Sequence, residues 1–112
     1  MLFLAFYGKG VYFATQSSYS DPYAKPATND GVKRMFLAEV VIGECCLGKK
    51  DMQTIPIKEG TNEAYDCAVD NLDNPTMYVV FKDSSAYAHY MLEYKWIFFV
   101  YVNITFYKIF IK

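Results

Sequence analysis

Residues 7–14 read Tyr7-Gly8-Lys9-Gly10-Val11-Tyr12-Phe13-Ala14, and the prediction of the fold begins with these residues. The two glycines lack side chains, so the backbone can turn sharply here or let a ligand approach closely. The β-branched and aromatic residues that follow are strong strand formers. The stretch therefore predicts a tight turn that leads directly into a short strand.

A segment rich in hydroxyls and tyrosines follows this strand. Ser17, Ser18 and Ser20 offer hydrogen bonds, while Tyr19 and Tyr23 offer flat faces on which a planar ring can stack. A flat ligand that carries an amide group would suit such a corner. Because a glycine pair before a strand is common, a hairpin turn with a polar loop and no ligand is the alternative interpretation.

Several ordered blocks of the sequence together resemble the catalytic domain of the poly(ADP-ribose) polymerase family. The blocks are residues 8–14 with Ser18, Tyr19, Ser20 and Tyr23, then residues 34–43, 66–71 and 74–81, and finally Ala86 and Tyr87. The similarity covers residues 7–94 and corresponds to the later half of that domain. It is closer to the branch that transfers single ADP-ribose units and often carries macrodomains.

The resemblance implies that NAD+ is a co-substrate and that Gly10, Tyr12, Ser20 and Tyr23 bind it. Tyr12 would pack against the ribose on the nicotinamide side, and it also counts as a catalytic residue. The Ser20 hydroxyl would bond the carboxamide, and the Tyr23 ring would stack on the nicotinamide. Positioning and electrostatics would stabilise an oxocarbenium-like transition state, which a nucleophile of an acceptor protein attacks.

The sequence departs from the family pattern at two places. Chain-elongating members carry a glutamate at the position of Met77, and a thioether cannot polarise a ribose hydroxyl as a carboxylate does. We therefore assign Met77 to that catalytic position and expect single-unit transfer, although a packed strand residue would fit equally well. The family's His-Gly pair belongs to the first half of the domain, which we expect to be missing. His89, the single histidine, precedes Tyr90 and is interpreted as structural.

Composition and spacing exclude several other classes of function. The net charge is −1 with scattered basic residues, so no nucleic-acid footprint is visible. Neither the dinucleotide-binding glycine pattern nor a phosphate-binding loop is present. No Cys/His spacing matches a zinc site, so no metal is expected. The chain is 54% hydrophobic, which indicates either a heavily buried core or apolar faces that await a partner.

The number and spacing of the cysteines indicate whether the protein resides in a reducing or an oxidising compartment. Cys45 and Cys46 are adjacent, which disfavours a bridge between them, and Cys67 makes the number odd. We expect reduced thiols and an intracellular protein of the nucleus or cytoplasm. We expect no membrane association.

Hydrophobic patterns place the secondary structure. Residues 34–42 predict a strand that is covered on both faces, and residues 77–81 predict a second strand. Residues 87–96 alternate, with Tyr87, His89, Met91, Glu93 and Lys95 on one face, which predicts a half-buried strand. Residues 15–33 and 49–60 read as loops. Residues 61–63 can cap a helix over 65–69, whereas the resemblance implies a short strand or loop there. Asp66, Asp70 and Asp73 read as solvated turn residues.

These patterns predict a strand-dominated α+β chain with long loops. The resemblance adds the split antiparallel sheets of a partial ADP-ribosyltransferase fold. Residues 6–95 would form the partial catalytic domain and residues 96–112 an atypical apolar extension. That extension would be without a selected role, an added packing strand or a membrane anchor. The short apolar start, residues 1–5, is expected to mark a truncated chain.

Two functions follow from the sequence. The first is an NAD+-dependent mono-ADP-ribosyltransferase, a pentosyl-transferring glycosyltransferase, which need not be active as this truncated chain. The second is a non-catalytic fragment or pseudoenzyme that binds protein partners through exposed apolar strands. In either case we expect marginal stability and a tendency to aggregate.

Overall fold

The computed structural model describes residues 5–26, residues 28–95 and the backbone of residues 108–110, which together build one sheet. Its strands are β1 (Val11–Ala14), β2 (Lys33–Val40), β3 (Cys45–Leu47), β4 (Cys67–Val69), β5 (Met77–Val80), β6 (Ala86–Tyr94) and β7 (Lys108–Phe110). The helical segments are α1 (Ser17–Ser20) and two 3₁₀ turns, Asp21–Tyr23 and Asp83–Ser85. The prediction of a strand-dominated chain is confirmed, and the split-sheet arrangement stays a prediction.

The strand order is β3-β4-β5-β1-β7-β2-β6, and only the β3–β4 pair is parallel. β7 joins a four-stranded block to the β2–β6 pair. Ala14 of β1 and Leu37 of β2 both pair with Ile109, so they lie on the same face of the sheet. We call this the front face; by alternation it also carries Tyr12, Met77 and Val79. The back face carries Phe13, Ala38 and Tyr78.

The core lies on both faces of the sheet. On the back face the buried cluster is Phe13, Ala38, Cys67, Val69, Tyr78 and Val80. On the front face Cys46, Ala68 and Val79 are buried beneath Tyr7, Tyr12, Met52, Ile55, Tyr65 and Phe81. Removing this apolar surface from water is the main stabilising contribution, at roughly 25 cal/mol per Å² buried.

The strand predictions for residues 34–42 and 77–81 are confirmed. In β2, Leu37 on the front and Ala38 on the back are both buried, as a strand covered on two faces requires. The prediction of a helix over residues 65–69 is wrong, because β4 forms there instead. Ala68 pairs with both Cys46 and Val79, so the sheet on either side overrides the local capping signal. The predicted loop over residues 15–33 contains α1 and the first 3₁₀ turn.

β6 is an edge strand of the described sheet, and its predicted half-burial is wrong. Seven of its nine residues are exposed, because β2 is its only described neighbour and no described layer covers it. A β-bulge also breaks the predicted alternation: Leu37 pairs with Tyr90 and Ala38 with Ala88, which leaves His89 as the extra residue. Tyr87, Tyr90, Leu92 and Tyr94 therefore all share the front face.

The expectation of three reduced thiols is also wrong. Cys45 and Cys67 form a disulfide, with their Cα atoms 4.8 Å apart. The two residues face each other directly across the parallel β3–β4 pair, a juxtaposition that their separation in sequence conceals. Cys46 points to the opposite face and stays a free, buried thiol.

Two remaining expectations concern the chain ends and membranes. Residues 108–110 form a strand, as the packing-strand alternative for the extension requires, whereas residues 96–107, 111–112 and 1–4 lie outside the described residues. The domain boundary at residue 95 stays a prediction. The described residues contain no helix with the length and apolar character needed to span a bilayer.

Candidate functional site

The turn before β1 closes on the hydroxyl of Tyr12. That hydroxyl donates to the carbonyl of Gly8 and accepts a hydrogen bond from the amide of Tyr7 at 3.2 Å. Burial is the main reason why the pKa of Tyr12 lies above its ordinary value. The half-buried ring therefore sits in a fixed position on the front face, and its hydroxyl stays neutral at physiological pH.

Both glycines of the turn are required by geometry. Gly8 has a φ of 125°, a backbone conformation that residues with a side chain rarely adopt. A Cβ at Gly10 would lie 2.8 Å from the Cγ1 of Val79 and would also collide with the carbonyl of Val80. In the described structure the close approach at Gly10 is therefore to β5. Its binding of a ligand stays a prediction.

The hydroxyl-rich segment after β1 folds into α1 and the 3₁₀ turn that follows it. Ser20 is only 2% exposed, and its hydroxyl has no hydrogen-bond partner among the described residues. The rings of Tyr19 and Tyr23 stack with centroids 6.1 Å apart and an angle of 30° between their planes. The same short segment therefore contains a buried hydroxyl without a described partner and a pair of stacked aromatic rings.

Asp21 fastens this corner to the sheet. Its carboxylate accepts hydrogen bonds from Lys33 Nζ at 3.1 Å and from the Tyr94 hydroxyl at 2.9 Å. Lys33 of β2 and Tyr94 of β6 face each other on the front face. The corner that contains Ser20 and Tyr23 is therefore held on the same face of the sheet as Tyr12.

Met77 lies at the start of β5, opposite Ala14, and is buried. Its amide donates to the carboxylate of Asp70 at 3.0 Å, as does the amide of Thr76. Asp70 also bonds the Thr76 hydroxyl, so this predicted solvated residue in fact closes the turn before β5. By register Met77 shares the front face with Tyr12, and the structure brings Tyr12, Ser20, Tyr23 and Met77 to one side of the sheet.

His89 lies apart from this corner, at the bulge of β6. Its Nε2 lies 2.8 Å from the Glu39 carboxylate, and its ring packs edge-on against Tyr87 at 5.0 Å. These contacts fit the interpretation of His89 as a structural residue. Within residues 5–26 and 28–95 no group of histidine, cysteine and acidic side chains is arranged to hold a metal ion.

Sequence reasoning missed Asp21 and the role of Asp70. Asp21 is separated from Lys33 by 12 residues and from Tyr94 by 73, and no local pattern reveals such contacts. The contacts of Asp70 span only six or seven residues. An aspartate shortly before a threonine that precedes a strand is the sequence signal that could have indicated them. The binding of a flat amide-bearing ring at this corner stays a prediction from the sequence.

The sequence is similar to known proteins. A family model described as the poly(ADP-ribose) polymerase catalytic domain matches residues 3–54. The chain belongs to this family. It is 39% identical over 89 residues to the protein mono-ADP-ribosyltransferase PARP12 of Mus musculus, which covers 79% of the chain. It is 34% identical over 93 residues to the mono-ADP-ribosyltransferase PARP14 of Homo sapiens, which covers 80%.

The chain corresponds to a small part of these poly(ADP-ribose) polymerase relatives. It spans 12% of the mouse PARP12 sequence and 5% of human PARP14. The mouse mono-ADP-ribosyltransferase PARP11 is 31% identical over 109 residues, and the chain spans 33% of it. The relatives support ADP-ribosyl transfer at the level of the family.

Proposed function

We propose that this chain takes part in the transfer of single ADP-ribose units from NAD+ to a protein acceptor, with release of nicotinamide. The observation that carries the proposal is the buried Ser20 hydroxyl without a described partner. Leaving such a group unbonded costs about 1–3 kcal/mol, so its retention calls for a reason. A carboxamide that bonds this hydroxyl when the ligand is present supplies one.

The neighbouring groups support the same ligand. Tyr19 and Tyr23 offer stacked rings beside Ser20, and Asp21 holds the corner against β2 and β6. Tyr12 lies on the same face with its hydroxyl engaged by the backbone, so its ring is pre-positioned to pack against a ribose. In this proposal the residues bind and orient NAD+, and the transition state is stabilised by position and electrostatics.

Met77 supports transfer of one unit only. Elongation needs a group that activates a ribose hydroxyl, and a buried thioether has neither charge nor a proton to exchange. The nucleophile therefore comes from the acceptor protein. Residence in the nucleus or cytoplasm remains a prediction from the sequence.

The test is incubation of the folded protein with NAD+ that is isotopically labelled in its adenylate half. We expect labelled ADP-ribose on the protein itself or on an added acceptor. Ser20→Ala should reduce labelling by about tenfold, the factor that corresponds to one hydrogen bond of about 1.4 kcal/mol. Ser18→Ala is the matched control, because Ser18 is an exposed serine of the same short helix.

Tyr23→Ala should abolish labelling if its ring stacks on nicotinamide, whereas Tyr87→Ala should not, because Tyr87 is exposed on β6. Nicotinamide binding, followed by chemical shifts of the amides in α1, gives a readout that needs no turnover. Equal labelling in wild type, Ser20→Ala and Tyr23→Ala would defeat the site assignment. Wild-type protein that neither binds nicotinamide nor becomes labelled would defeat the enzymatic function.

The second candidate is a non-catalytic module that binds protein partners. It is favoured by the exposed front side of β6, where Tyr87 is 67%, Tyr90 62% and Leu92 44% exposed. Such edge strands readily pair with other chains. Under this alternative, folded protein gives no labelling but self-associates in sedimentation experiments, and Tyr90→Lys weakens that association.

A further inference from the structure

The Cys45–Cys67 disulfide fastens a marginal edge of the sheet. β3 contains three residues, and among the described strands it pairs with β4 alone. The disulfide lies at the first of the three register positions, Cys45 opposite Cys67. Without this covalent link, β3 would be held by a short parallel pairing, by the Glu44–Asp66 hydrogen bonds beside it and by the burial of Cys46. Parallel pairing is slightly less stable per residue than antiparallel pairing.

The segment that follows β3 contacts the turn at residues 7–10. The Gly48 amide donates to Val69 at 2.8 Å and so continues the β3–β4 pairing by one residue. The residues after Gly48 form hydrogen bonds with the segment that precedes β1. The Asp51 amide donates to the Ala5 carbonyl at 2.8 Å, and the Lys9 amide donates to the Met52 carbonyl at 2.7 Å. A Cβ at Gly48 would collide with the backbone of Tyr7, so the two segments are in close contact.

The turn in its own right positions Tyr12. The Gly8 amide bonds the Ala5 carbonyl at 3.3 Å, and the Tyr12 hydroxyl bridges Gly8 and Tyr7. A continuous chain of contacts therefore runs from the disulfide through β3 and residues 48–52 to the ring of Tyr12. The links from β3 to the turn are backbone hydrogen bonds and a close backbone approach, and the last link is made by the Tyr12 hydroxyl.

From this juxtaposition we propose that the Cys45–Cys67 disulfide is a redox switch for the turn at residues 7–10. When it is oxidised, β3 is fixed and residues 48–52 hold the turn closed around the Tyr12 hydroxyl. When it is reduced, β3 separates more readily from β4 and the turn opens more often. The effect on the turn is independent of any ligand, whereas its consequence for NAD+ rests on the proposed function.

A dithiol reductant accomplishes the switch. Its thiolate attacks the sulfur of Cys45, which is only half-buried, and the Cys67 sulfur leaves and takes a proton. The second thiol of the reductant then attacks the mixed disulfide, becomes the reductant's own disulfide and leaves Cys45 as a thiol. Two electrons and two protons pass from the dithiol to the protein, and a disulfide oxidant reverses the exchange.

Cys46 supplies the control. It is adjacent to Cys45 but lies in the front cluster and takes no part in the bond. Burial raises the pKa of the Cys46 thiol, which makes it a poor competitor for exchange. Cys46→Ala should therefore keep the redox response, whereas Cys45→Ala should abolish it.

The experiment measures hydrogen exchange of the full chain after equilibration with oxidised or reduced dithiothreitol. Peptide mapping should first show the Cys45–Cys67 link in the oxidised sample. Reduction should then accelerate exchange at the Lys9 and Asp51 amides by about tenfold, while amides of β5 change little. Cys45→Ala should show the fast rates in both conditions.

Absence of the link in the oxidised protein would overturn the proposal, and so would equal exchange at Lys9 and Asp51 in the two redox states of wild type. The wild-type comparison decides the matter even if Cys45→Ala fails to fold. Labelling with NAD+ is measured separately in both states. Because hydrogen exchange needs no turnover, loss of the proposed enzymatic function would leave the redox result readable.

Discussion

At the scale of single residues, Asp70 determines where β5 begins. Its carboxylate accepts hydrogen bonds from the amides of Thr76 and Met77 and also bonds the Thr76 hydroxyl. Burial raises the pKa of this carboxyl, but the hydrogen bonds from Thr76 and Met77 outweigh burial, and the net pKa lies below the ordinary 3.8. The charged form of Asp70 is therefore the one that the fold stabilises.

We expect Asp70→Ala to lower the free energy of unfolding by about 1–3 kcal/mol at neutral pH, since it leaves two amides without their acceptor. A carboxyl with a depressed folded pKa stabilises above its unfolded pKa and loses that contribution as the pH falls through the folded pKa. Wild-type protein should therefore lose stability below about pH 4 more steeply than the variant. Urea unfolding at a series of pH values measures both effects.

Asp73→Ala is the matched control for this turn, because Asp73 is exposed. It should change the unfolding free energy by less than about 0.5 kcal/mol. Parallel acid limbs for wild type and Asp70→Ala would contradict the role given to the carboxylate.

The residue scale also shows what a sequence can predict. Resemblance identifies Tyr12, Ser20, Tyr23 and Met77. Register places Tyr12 and Met77 on the front face, and the contacts of Asp21 hold the corner with Ser20 and Tyr23 on that side. The contacts that hold them there were not predictable, because the partners of Asp21 lie on β2 and β6 and are set by the assembled sheet. Local sequence indicates which side chains are chemically suitable but not what fixes them in place.

At the scale of elements, solvent exposure differs sharply between β6 and its neighbour β2. Tyr90 and Leu37 are directly paired on the front face, yet Tyr90 is 62% exposed and Leu37 only 9%. The sheet therefore passes from a buried side chain of β2 to an exposed side chain of β6 between two adjacent residues of the same face. The bulge at His89 adds Tyr87 to the exposed front-face residues of β6.

Substitutions of Tyr90 and Leu37 should therefore differ strongly in their effect on stability. Tyr90→Lys should alter the unfolding free energy by no more than about 0.5 kcal/mol while raising solubility. Leu37→Ala should cost about 2–5 kcal/mol, because it leaves a cavity in a buried position. Chemical denaturation and light scattering on the two variants provide the measurements, and a large loss of stability in Tyr90→Lys would show that β6 is covered.

The elements that were predicted correctly have clear local patterns. β1 and β5 consist mostly of β-branched and aromatic residues, and β2 has an apolar run at residues 35–38. The sheet preserves the strand that each of these patterns favours. The sequence around β4 predicts a helix instead, because a strand of three residues is too short to show the alternation that identifies a strand. The bulge in β6 escaped detection because periodicity assumes a regular strand.

At the scale of the whole molecule, four tyrosines couple stability to alkaline pH. The pKa values of Tyr12, Tyr19, Tyr78 and Tyr94 all lie above the ordinary 10.0, chiefly through burial, and the hydrogen bond to Asp21 adds to the effect at Tyr94. Groups with raised folded pKa values stabilise fully below their unfolded pKa. That stability is lost as the pH rises through the folded values.

We therefore expect the free energy of unfolding to fall once the pH exceeds about 10. Tyr94→Phe should flatten this alkaline limb, and at neutral pH it should cost about 1 kcal/mol for the lost bond to Asp21. Tyr87→Phe, an exposed tyrosine of the same strand, should reproduce the wild-type curve. An unchanged alkaline limb in Tyr94→Phe would contradict the coupling.

The global architecture was predicted only in outline. Composition and periodicity indicate a strand-rich chain, but neither the order of strands nor the disulfide follows from them. Cys45 and Cys67 meet because two short strands run parallel, and parallel neighbours are brought together by the chain between them. The exposed apolar side chains of β6 fit the prediction of a protein with a tendency to aggregate.

The position of β7 has a consequence for biosynthesis. Residues 108–110 lie between β1 and β2, strands that a ribosome completes long before it reaches them. Until those late residues emerge, the nascent chain holds two separate pieces of sheet whose inner borders have no partner. Such borders invite pairing with neighbouring nascent chains, so chaperone capture during translation should govern the yield of soluble protein.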